Sequence, residues 1–126
     1  DGNIVITNEK DAMRVAGTVE NEKGTNELTN NGDGGAIISG TITNNNGANN
    51  ITNNGQGGLT VTETGLVNNN NGTTTVTNNT GKLKVEELLI TMDKPQLLIM
   101  VTEEWKLPVL LTTRAEQQNL ITLMQP

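Results

Sequence analysis

One ten-residue motif returns along the chain at nearly fixed intervals. It reads "LTNNGDGGAI" from Leu28, "ITNNGQGGLT" from Ile51 and "VTNNTGKLKV" from Val76, with a weaker first copy, "ITNEKDAMRV", from Ile6. The steps are 22, 23 and 25 residues. A second motif keeps the same phase, as "GTVENEKG" from Gly17, "GTITNNNG" from Gly40 and "GLVNNNNG" from Gly65. Two motifs in phase over three copies mark one structural unit repeated, rather than a disordered Asn/Gly-rich run. Within each unit, short alternations of apolar and polar residues, such as "LTVTE" from Leu59, are separated by Asn/Gly clusters. That pattern is strand, turn, strand, turn. Leucine-rich, ankyrin and tetratricopeptide repeats need a helix or a diagnostic motif that is missing here, so the period predicts an all-β chain wound as a parallel β-solenoid of about 22–25 residues per coil.

Stacking makes the composition intelligible. Trp105 is the only aromatic residue and 33% of the chain is apolar, too little for an ordinary core of this length but enough where each coil buries a few aliphatic side chains against its neighbours. With coils about 4.8 Å apart, Ile6, Leu28, Ile51 and Val76 are predicted to form an inward column. Thr7, Thr29, Thr52 and Thr77 then point outward. Asn8, Asn30, Asn53 and Asn78 fall at a corner, where stacked side-chain amides bond along the axis, and Gly32 and Gly55 serve the turns.

The repeat stops near residue 86. All 14 glycines precede residue 82, all three prolines follow residue 94, and Asn119 is the only asparagine in the last 40 residues. We therefore divide the chain into solenoid repeats over 1–86 and a non-repeat, irregular tail over 87–126. Two origins are open for the tail. A cap would cover the solenoid end, which exposes core and unpaired strand edge. Alternatively the tail is an out-of-frame translation of further coils: with one base lost near Glu87, Met92–Asp93 and Met100–Val101 must each encode glycine in the restored frame, eight residues apart like Gly24 and Gly32. Either way Leu88–Ile90 and Leu97–Val101 are candidate added strands, at most one irregular strand is expected to continue the coil, and "RAEQQNLITLM" from Arg114 has helix formers enough for one short helix.

Chemistry is conspicuous by what is missing. There is no His, Cys or Tyr, which removes the commonest general base, the thiol nucleophile and most metal ligands. The acids read as scattered: Asp33 aligns with Gln56, and Asp11 and Glu63 have no acidic counterpart in adjacent coils. "NGDGG" around Asp33 is reminiscent of calcium-binding Gly/Asp repeats, but its copy "NGQGG" lacks the carboxylate. The Thr pairs Thr41/Thr43, Thr60/Thr62 and Thr75/Thr77 do not fall in the same place on every coil, as an ice-binding face requires. Asn-x-Thr sequons at Asn50, Asn71 and Asn78 arise readily in such a chain. We assign no catalytic, cofactor-binding or metal residues and no cofactor. A net charge of −6 disfavours nucleic acid and anionic membrane as partners, and no apolar run is long enough to insert in a bilayer. Signal and anchor are not expected within this chain.

The stretch "GGAIISGTITNNNGANNITNNGQGGLTVTETGLVNNNNGTTTVTNNTGKLKV", Gly34 to Val85, resembles the Asn/Gly-rich repeats of filamentous-haemagglutinin-like and autotransporter adhesins of Gram-negative bacteria. The likeness spans about two-thirds of the chain and carries no catalytic or receptor-binding motif. It implies a right-handed parallel β-helix in the non-catalytic stalk of an exported adhesin on the bacterial outer surface, whose full-length form meets a host or neighbouring-cell glycan or protein. A fragment of a carbohydrate-active or carbohydrate-binding β-helix is the alternative.

Overall fold

The computed structural model describes residues 2–85, 94–101, 105–106 and 120–124, with side chains over 2–84. It is a parallel β-solenoid of about four turns, with no helix among the described residues. Each turn pairs a long strand with a short one. The long series is β1 (Ile4–Asn8), β3 (Thr18–Asn30), β5 (Thr41–Asn53) and β7 (Leu66–Asn78); the short series is β2 (Ala12–Val15), β4 (Gly35–Ile38), β6 (Leu59–Val61) and β8 (Leu83–Val85). Three further strands follow: β9 (Lys94–Val101), β10 (Trp105–Lys106) and β11 (Leu120–Met124). One sheet runs β1-β3-β5-β7-β9-β11 and the other β10-β8-β6-β4-β2, with every pairing parallel.

The register follows the sequence repeat. Ile6 pairs Leu28, Leu28 pairs Ile51, and Ile51 pairs Val76. Leu28, Ile51 and Val76 are buried and Ile6, at the end of the column, is only partly so. Sheet-to-sheet contact completes the core: Val67 and Ile42 from the long strands meet Ile38, Leu59, Val61 and Leu83 from the short ones in one cluster.

Each 13-residue strand is two legs joined at a corner. In β5, Ile42 and Asn44 face inward, then Asn49, Ile51 and Asn53. Side chains alternate with period two along a strand, so an inward step of five residues from Asn44 to Asn49 requires one extra residue and a bend between them. Gly47 sits in that bend at φ 153°, beneath Gly72 and above Gly24 in register. The coil therefore has three sides, two from the long strand and one from the short.

The tail departs from expectation. Rather than at most one strand, β9, β10 and β11 all extend the sheets. Leu97–Val101 does add a strand as part of β9, which carries Pro95 opposite Gly72, whereas Leu120–Met124 is strand and not the end of a helix. A parallel edge recognises main-chain N–H and C=O groups and is indifferent to whether the incoming segment belongs to the repeat. The Asn corner is not continued: Val101 lies opposite Asn78. Leu88–Ile90 lies outside the described residues.

Candidate functional site

The outward positions make a surface of hydroxyls and amides. Glu63 is the only charged residue between Gly34 and Gly81, so the two central coils present Asn, Thr, Gly and Ser almost exclusively. Thr7, Thr29, Thr52 and Thr77 stand in one register column on the second leg of the long strand, as the repeat predicts. On the first leg the expected mismatch also holds: Thr41 lies between Thr18 and Leu66, and Thr43 between Glu20 and Asn68.

Asparagine ladders tie the coils together. At the predicted corner, Asn8 Nδ2 donates to Asn30 Oδ1 at 2.7 Å, Asn30 to Asn53 at 2.9 Å and Asn53 to Asn78 at 2.8 Å. The second amide proton closes the local turn, from Asn30 to Gly32 O and from Asn53 to Gly55 O, both at 2.9 Å. Just outside runs another ladder of opposite sense, in which Asn79 donates to Asn54 at 2.6 Å and Asn54 to Asn31 at 2.8 Å. That ladder ends on Glu9, whose carboxylate accepts from Asn31 at 3.2 Å. A third, at the strand bend, runs from Asn70 to Asn45 and ends on Glu22, which accepts from Asn45 at 2.8 Å. A carboxylate is acceptor-only, so each outer ladder finishes on a group that takes its last proton without needing to pass one on.

One inner column is incomplete. Asn26 Nδ2 donates to Asn49 Oδ1 at 2.9 Å and to Thr43 O at 3.0 Å, while the register partner above Asn49 is Thr74, whose buried Oγ1 has no hydrogen-bond partner. Thr74→Asn is expected to extend the column and stabilise the protein by about 1 kcal/mol. A urea midpoint that falls instead of rising would count against this assignment.

The acids are less scattered than the sequence implied. Glu9, Asp11 and Asp33, with Lys10, Ala12, Asn31 and Gly34, line an open groove of about 490 Å³ at the N-terminal end. Counting from the long-strand step hides this. Asn8 to Asn30 spans 22 residues but Ala12 to Gly35 spans 23, so one extra residue in the turn after Asn30 brings Asp33 beside the Asp11 turn, where Gly34 N donates to Asp11 O at 2.8 Å. Asp11 itself has φ 58°, a left-handed turn conformation that Asp tolerates. Asp33 and Gln56 occupy corresponding turns, and Glu63 lies outside the groove. Among the described residues no group of three His, Cys, Asp or Glu is arranged to hold a metal ion.

The sequons separate clearly. Asn78 is fully buried in the corner ladder, Asn71 is exposed at the bend, and Asn50 faces outward on the second leg, half-buried.

Fold and surface together define a class, a parallel β-solenoid repeat protein with amide-laddered corners. Compared with known proteins, the chain matches no family model, no curated protein and no solved structure.

Proposed function

We propose that this chain is a length of rod in an exported bacterial surface adhesin, a spacer without catalytic activity that holds a binding region of the full-length protein away from the cell. The partner, a glycan or protein on a host or neighbouring cell, is met by the full-length molecule. The observation that carries this reading is the unbroken register: from Thr18 to Asn30 the long strands pair through Thr41–Asn53 to Leu66–Asn78 with no insertion. Enzymes on such scaffolds build a cleft from long loops between strands, and the turns here are short. The neutral amide and hydroxyl surface suits a spacer that must not collect charged molecules.

Antibodies against residues 34–81 should label intact cells that produce the protein; labelling only after permeabilisation would overturn the export reading. The acidic groove favours one second reading, a carbohydrate-active fragment in which Asp33, Asp11 and Glu9 act on a sugar chain. The spacer reading expects no polysaccharide hydrolysis by the purified chain. Turnover abolished by Asp33→Asn would replace it with the second.

A further inference from the structure

The interior of the solenoid is aliphatic toward the short strands and amide-rich at the bend of the long ones. At the bend Asn44 and Asn69 stack in register, both 0% exposed. Each is oriented by two hydrogen bonds. Asn44 Nδ2 donates to Gly24 O at 2.9 Å and Ala48 O at 2.8 Å, and Asn69 Nδ2 donates to Gly47 O at 3.1 Å and Thr73 O at 2.9 Å. Turning either amide over would set its oxygen against two carbonyl oxygens, so the assignment of O and N is fixed by the network. Both Oδ1 atoms therefore point away from those carbonyls, and neither receives a hydrogen bond from the described residues. Asn26 Oδ1 and Thr74 Oγ1, also fully buried, share that condition.

Buried amide oxygens without donors are costly, and several in one small domain would consume a large part of its net stability. We propose that the bend binds ordered water inside the coil, with one molecule bridging Asn44 Oδ1 and Asn69 Oδ1. The geometry fits. Equivalent hydrogen bonds place the two oxygens one coil apart, about 4.8 Å, and a water about 2.8 Å from each subtends an angle of about 120°, close to the angle between its two O–H bonds. Water supplies two donors to two acceptors. A cation would also be attracted to carbonyl oxygens, but no carboxylate is among the buried residues and its charge would be buried uncompensated. The water thus serves as a rung that repeats with the coil and completes the polar half of the core.

The test uses the full chain unaltered. Crystals diffracting to about 1.2 Å, grown with and without rubidium, should show a peak within hydrogen-bond distance of both oxygens and no anomalous signal there in rubidium. In solution, the Asn44 and Asn69 side-chain amide protons should show cross-relaxation of the sign that marks a long-lived bound water. Absence of density between the oxygens, a rubidium peak in their place, or no cross-relaxation would each overturn the proposal.

Discussion

Replacing Asn53 by alanine is expected to lower the free energy of unfolding by about 3–5 kcal/mol, the range for breaking a buried hydrogen-bond network. Asn53 is 0% exposed and bonded on every side. It accepts from Asn30 Nδ2 at 2.9 Å and from Gly55 N at 3.1 Å, and donates to Asn78 Oδ1 at 2.8 Å and Gly55 O at 2.9 Å. Truncation removes a partner from each of those groups, which lie where water cannot simply replace it. Asn54→Ala is the matched control: Asn54 is exposed and its ladder lies outside, so the change should stay within about 0.5 kcal/mol. Urea unfolding of the two variants beside the parent reads the difference. Equal losses would mean that the inner ladder contributes no more than solvated surface asparagines.

Gly47→Ala should be damaging for a different reason. At φ 153° a side chain is strained, and a Cβ on Gly47 would collide with the carbonyl oxygen of Gly24 in the coil below. Backbone on backbone leaves nothing flexible to yield, because moving Gly24 disturbs the register on both sides. We expect a loss of about 3 kcal/mol or more, of the size that backbone strain and overpacking together produce. Gly17→Ala, with nothing within 4 Å of the added methyl, should be neutral or stabilising by up to about 1 kcal/mol. If both variants unfold at the same urea concentration, the close stacking of the bend is wrong.

These two positions also mark how far the sequence could be read. The column Leu28–Ile51–Val76 and the corner Asn30–Asn53–Asn78 were legible because both motifs recur with identical residue types, and a parallel stack converts recurrence in sequence directly into contact in space. The bend was harder to see. It depends on a one-residue change of inward phase between Asn44 and Asn49, and both Asn45–Asn46 and Asn49–Asn50 read as the same polar run in one dimension. The second set of buried asparagines, Asn26, Asn44, Asn49 and Asn69, was missed with it, since buried amides look like turn residues until the chain is folded. The grouping of Glu9, Asp11 and Asp33 escaped because the long and short strands advance by different steps in the first coil. Beyond Val85 the side-chain pattern stops repeating, yet β9 still pairs with β7. Main-chain edges carry no sequence signature, so nothing in the tail's residues could have announced that pairing.

The account rests on parallel coils stacked one residue above its counterpart, and paired cysteines measure that directly. The native chain has none, so each engineered pair reports alone. Thr29 and Thr52 are register partners on the outward face, and Thr77 is the partner of Thr52 one coil further on. Neighbouring coils about 4.8 Å apart fall within the Cα separation that a disulfide spans, whereas two coils, nearly 10 Å, do not. The T29C/T52C variant should therefore oxidise readily to an intramolecular disulfide without loss of its β-sheet circular dichroism, while T29C/T77C stays reduced under the same conditions. Closure of T29C/T77C as readily as T29C/T52C, or failure of both, would contradict the stacked register and the rod built on it.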